Sequence, residues 1–135
     1  MAGYSGTPLV QKLGIKSGHR VMLLGAPEGF DATLGTLPDG VTVRTAARGT
    51  ADVVVLFTTR RALLEARIDT LGAAVFPGGA VWVAWPKKAA KVPTDMTEDV
   101  VREVCLPRGL VDNKVCAIDE TWSGLRVVHR VERRR

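Results

Sequence analysis

Val53-Val54-Val55-Leu56-Phe57 is an unbroken apolar run, opened by the charged Asp52 and followed by Thr58-Thr59. A run this short cannot span a bilayer. Without alternation of apolar and polar residues it cannot be a strand with one wet face either. It reads as a strand covered on both sides, the condition of a strand inside a parallel sheet. Val21-Met22-Leu23-Leu24 and Ala80-Val81-Trp82-Val83-Ala84-Trp85 repeat the pattern. Three such runs in one short chain demand helices on both faces of a common sheet.

The segments between the runs supply those helices. Leu64, Ile68, Leu71 and Val75 recur at helical spacing, so 61–75 is a predicted helix, stopped by Pro77-Gly78-Gly79. Pro8 to Leu13 reads as a short helix with Thr7 as N-cap, ended at Gly14. Phe30 to Leu37 is a second short helix, entered through the glycine-bearing turn 25–29. Asp95 with Glu98 has the form of a capping box, opening a helix that carries Val100, Val101, Val104 and Cys105 inward. Pro107 and Gly109 end it. Val41 to Arg44 is a short strand after the Pro38-Asp39-Gly40 turn. Two closing strands are predicted near 114–118 and 125–131, joined by the loop 119–124 as a hairpin. Strands alternating with helices predict right-handed crossovers.

The chain has 135 residues, of which 46% are hydrophobic and 24% charged, the balance of one ordinary folded domain. Residues 1–131 are expected to form it, with 132–135 as a basic tail. Met1 to Lys12 contains no apolar run of signal-peptide length, so a cytoplasmic protein is expected, with no membrane contact. The net charge of +5 invites a nucleic-acid reading, but without Arg133, Arg134 and Arg135 only 16 basic residues face 14 acidic ones. The tail is read as a solvated end whose removal leaves stability almost unchanged, and nucleic acid is not the expected partner. Cys105 and Cys116 form no CxxC pair and lie far in sequence from His19 and His129. No metal is expected, and both thiols read as buried. No GxSxG, Walker loop or HExxH occurs, and Ser5, Ser17 and Ser123 lack the context of a nucleophile.

The phrases Gly18-His19-Arg20-Val21-Met22-Leu23-Leu24-Gly25, Asp52-Val53-Val54-Val55 and Pro77-Gly78-Gly79-Ala80-Val81-Trp82, with Gly109 before the last hairpin, resemble the class I methyltransferase fold. The resemblance covers nearly the whole chain. It implies a Rossmann-like three-layer α/β sandwich, mainly parallel, with an antiparallel C-terminal hairpin. More narrowly, 24–30, 85–88, 111–116 and 119–125 are similar to a family of small bacterial proteins catalogued only as a domain of unknown function. That family brings no activity with it.

Set against the methyltransferase pattern, the cofactor loop departs at three places. Leu23 stands where an acid usually precedes the first glycine. The loop reads Gly25-Ala26-Pro27-Glu28-Gly29, so a proline without N–H replaces the middle glycine and Glu28 adds a negative charge. Arg44 stands where an acid usually meets the ribose hydroxyls. These departures predict that ordinary S-adenosylmethionine binding is lost. Nothing of the Asn/Asp-Pro-Pro-aromatic motif of adenine-modifying relatives stands at Thr58-Thr59.

Ligands of open parallel sheets sit beyond the carboxyl ends of the strands. There the candidate binding residues are Gly25 and Gly29 for backbone donors, Arg44, Lys87 and Lys88 for charge, and Trp85 for stacking. The expected ligand is a small anion. Asp119, Glu120 and Ser123 read as a polar turn rather than an acid–base pair, since neighbouring residues of an extended chain face opposite ways. The expected function is therefore a non-enzymatic ligand-binding domain. The alternatives are an active methyltransferase with an unusual loop and a protein-interaction module, the last favoured by an exposed Trp85 or Trp122.

Overall fold

The three apolar runs lie side by side. In the computed structural model, which describes residues 6–134, β1 (Arg20–Leu24), β3 (Val53–Phe57) and β4 (Ala80–Pro86) are parallel neighbours, and β2 (Thr42–Arg44) extends the sheet beyond β1. After β4 the direction reverses. β6 (Trp122–His129) pairs antiparallel with β4, and β5 (Leu110–Ala117) closes that edge in the order β2-β1-β3-β4-β6-β5. Ser5 and Arg135 lie outside the described residues.

Each run is buried from both sides. Met22, Val54, Leu56, Val81 and Val83 pack with Leu64, Ile68 and Leu71 of α3 (Arg61–Val75) and Val101 and Val104 of α4 (Glu98–Cys105). Their alternates Val21, Val55, Phe57 and Trp82 pack with Leu13 of α1 (Leu9–Leu13) and Phe30 and Leu34 of α2 (Phe30–Leu34). The result is three layers, two helices on each side of the sheet. Trp82 is fully buried, and its indole N–H donates to the Leu13 carbonyl at 3.0 Å, so the one polar atom it carries inward is satisfied.

Several ends fall elsewhere than the sequence implied. Asp95 does not cap α4. Thr97 does, its Oγ1 accepting the Val100 N–H at 3.1 Å, while Asp95 Oδ1 accepts the Arg61 N–H at 2.7 Å and so caps α3. A carboxylate there also favours the helix dipole. α1 begins after Pro8, with no side-chain cap from Thr7, and α2 stops at Leu34 because Gly35 turns the chain. The hairpin strands begin earlier than expected. A bulge between Asp112 and Lys114 carries β5 through its polar stretch, and Asp119 Oδ1 tightens the turn by accepting the Thr121 and Trp122 N–H groups at 2.8 Å.

The basic end touches the body: Arg133 donates to the Arg108 carbonyl, and Arg134 Nε donates to the His129 carbonyl at 3.0 Å. Cys105 is buried, and desolvation pushes its thiol up to about 12. Cys116 is half-buried and burial pushes it up too. Neither is a thiolate nucleophile at neutral pH. Among the described residues, no helix is long and apolar enough to cross a membrane, and no group of three His, Cys, Asp or Glu could hold a metal ion.

Two positions carry strain or charge that can be tested. Gly25 has φ of 70°, and a Cβ there would stand 2.8 Å from the Phe57 carbonyl oxygen, backbone that cannot give way. Gly25→Ala should destabilise the protein by about 1–3 kcal/mol, read by urea unfolding; Gly29→Ala, which meets no atom within 4 Å, should cost less.

Asp52 is desolvated, which raises its pKa. Hydrogen bonds from the Arg20 backbone N–H at 2.8 Å and the Arg20 guanidinium outweigh this and hold it below the ordinary carboxylate value. Its contribution is present above the ordinary carboxylate range and fades as pH falls through the lowered value. Asp52→Asn should lower the melting temperature by a few degrees at neutral pH and flatten its decline as pH falls through and below the ordinary carboxylate range. An unchanged acid limb in that variant would show that the pair contributes nothing.

Candidate functional site

β2 lies to one side of β1 and β3 to the other, so the chain switches direction across the sheet between β1 and β3. The crevice beyond the carboxyl ends of that pair is the place where an open α/β sheet accepts a ligand. The turn 25–29 sits there. Gly25 passes close over the end of β3 because it lacks a Cβ, and Gly29, at φ of 81°, turns the chain into α2. The Pro27 carbonyl accepts the Phe30 N–H at 3.1 Å, and the Gly29 carbonyl accepts the Ala32 N–H at 3.1 Å. Gly25, Ala26, Glu28 and Gly29 are exposed, so the outer surface of the turn is open to solvent.

Below the turn lies an aromatic stack that no local pattern announced. The Phe30 and Phe57 rings meet edge to face at 4.9 Å between centroids, and Phe57 meets Trp122 in the same way at 5.1 Å. These rings link the start of α2, the end of β3 and the start of β6 into one apolar floor. Such pairs are favourable beyond their buried area. The one signal for it in the sequence is that Phe57 ends its run and Phe30 begins its helix.

The other candidates scatter. Trp85 is only 7% exposed and packs in the layer of α3 and α4, so the aromatic face suggested for a ligand is turned into the core. Arg44 is committed to its own loop: its guanidinium donates to the Arg48 carbonyl at 2.8 Å and to the Thr50 carbonyl. It shapes the β2–β3 connection instead of reaching across the crevice. The Lys87 N–H donates to the Thr121 carbonyl at 2.7 Å, which ties the end of β4 to the hairpin turn. Lys88 is exposed and begins the short 3₁₀ turn Lys88–Ala90. At the end of β3, Thr58 is buried and its hydroxyl bridges the backbone N–H and carbonyl of Arg60 at 3.0 Å each, leaving the Arg60 side chain exposed. Asp119 is taken up by its turn, as expected of a structural carboxylate.

No protein-family model matches the chain, and none of the curated proteins matches it. Solved structures do. A S-adenosylmethionine-dependent methyltransferase from Aquifex aeolicus is similar over 88% of this chain and 86% of its own, with a TM-score of 0.63 and 16% identity. DhpI in complex with S-adenosylhomocysteine is similar over 92% and 83%, at 0.62 and 14%. Magnesium protoporphyrin IX methyltransferase from Synechocystis PCC 6803, with S-adenosylmethionine bound, is similar over 90% and 74%, at 0.56 and 11%. At these identities the likeness is one of fold.

These neighbours correct the expectation that Leu23, Pro27 and Arg44 exclude S-adenosylmethionine. Two of them carry that cofactor or its demethylated product on the same fold. The geometry shows why three substitutions are weak grounds for exclusion. Pro27 removes one N–H, yet both glycines keep the left-handed conformations that shape the turn. Leu23 is buried in the sheet, and Arg44 is held by its own loop. Glu28 opposes an anion but not a sulfonium cation. The chain is a mainly parallel α/β sandwich of the methyltransferase type.

Proposed function

We propose that this protein is an S-adenosylmethionine-dependent methyltransferase whose cofactor lies over the turn 25–29. The observation that carries the proposal is the placement of this glycine-bounded, outward-open turn at the switch point between β1 and β3, directly on the Phe30–Phe57–Trp122 floor. The residues present fit the group in a specific way. The turn offers backbone with no side chain at Gly25 and Gly29. Glu28 on the turn and Asp31 in the first turn of α2 are exposed carboxylates, able to accept from ribose hydroxyls in place of the acid missing at the end of β2. Their charge also complements a cationic sulfur. The exposed guanidinium of Arg60 suits a carboxylate.

When bound, the cofactor supplies an electrophilic methyl group on a sulfonium. The chain's own part is to bind and align, and to keep water from below, which the aromatic floor does. Trp85, being buried, gives no support to an interaction surface at that residue.

Calorimetric titration with S-adenosylmethionine and S-adenosylhomocysteine tests the proposal. Both should bind, and at a hundred times the dissociation constant each should add about 2.7 kcal/mol of stability. Glu28→Gln should weaken binding about tenfold, the scale of one hydrogen bond to a charged group, whereas Arg44→Ala should leave it unchanged. A folded protein that neither compound stabilises at millimolar concentration would sink the reading.

A further inference from the structure

A second site lies at the opposite, amino end of the sheet. Beneath the C-terminal end of α1, a cleft of about 390 Å³ has Lys12, Lys16, His19, Asp52, Lys114 and Arg126 in its lining. Lys114 and Arg126 are direct partners across the β5–β6 pair. Like charges in that position repel. Arg126 is half-buried, and among the described residues its guanidinium has no hydrogen-bond or ion-pair partner. Burial, and then the Arg134 guanidinium, push its pKa down. A half-buried cation without acceptors is costly unless something anionic meets it. Among the described residues, Asp52 is the one acid lining the cleft, and it is already engaged by the Arg20 N–H and guanidinium. His19 adds a donor: its Nδ1 accepts the Lys16 N–H at 3.1 Å, which leaves the proton of the neutral ring on Nε2.

We propose that this cleft binds a phosphate-bearing small molecule, with its oxygens accepting from Arg126, Lys114 and His19. A phosphate group carries about −1.5 to −2 charge and three acceptor oxygens, which suits donors arriving from β5, β6 and the loop before β1 better than a planar carboxylate does. The cations converge on a concavity instead of forming the exposed stripe that a nucleic-acid backbone follows, so a small ligand is the occupant. The site faces away from the turn 25–29 and does not depend on the methyltransferase reading.

The test uses full-length protein and pyrophosphate as probe, by calorimetry and thermal melting at constant ionic strength. Pyrophosphate should raise the melting temperature. Arg126→Gln should weaken its binding about tenfold, Lys114→Gln several-fold, and Arg67→Gln on the exposed face of α3 not at all. Without the probe, Arg126→Gln should melt at or above the wild-type temperature, since it removes an unpaired charge; a structural role would lower it. If Arg126→Gln does not fold, Lys114→Gln carries the same comparison. Equal stabilisation by sodium chloride at matched ionic strength would overturn the proposal. So would unchanged affinity in Lys114→Gln, or binding of a short oligoribonucleotide without binding of pyrophosphate.

Discussion

Val54 and Val55 are consecutive residues of β3, and both are wholly out of water, one against α3 and α4, the other against α1 and α2. Neighbouring residues of a strand point to opposite faces, so this pair requires cover on each side of the sheet. Everything else follows that requirement. β1 and β4 flank β3 in register, and the helices are distributed two to a face. With β1 and β3 parallel neighbours in register, their carboxyl ends open onto the same crevice, and the turn after β1 is brought over it.

The sheet therefore has two chemically different ends. At the carboxyl end, the turn 25–29 is exposed, rests on aromatic rings, and carries Glu28. At the amino end, Asp52 is spent on holding Arg20, and Lys114 of β5 and Arg126 of β6 face one cleft in which, among the described residues, no other acid lies. One end suits a ligand with a cationic centre, the other a polyanionic one. The antiparallel β5–β6 pair contributes to both: Trp122 completes the floor of the first, and Lys114 with Arg126 furnish the second.

Surface ion pairs bind the outer helices without deciding the fold. Arg61 reaches Glu65 and Glu103, linking α3 to α4, and Arg102 reaches Glu98, Asp99 and Asp112, linking α4 to β5. All these side chains are partly exposed, and such pairs contribute little singly. Their effect is to orient α4, whose Val101, Val104 and Cys105 supply the burial.

The sequence by itself determined the three apolar strands and the long helix. The run 53–57 and the helix 61–75 begin and end where their residues change character, because the period of an element is written in neighbouring residues. It determined the Gly25–Gly29 turn for the same reason. What it left open was every choice between distant partners. Asp95 had two helix ends within reach, and only the packing of α3 beside α4 assigned it to Arg61. Trp85 could have faced solvent or core until the layers closed over it. Arg44 had a free guanidinium on paper and a loop carbonyl in the fold. Phe30, Phe57 and Trp122, like Lys16, Lys114 and Arg126, have nothing in common along the chain. They meet because strand order brings them together, and strand order is decided by which faces must be buried at once.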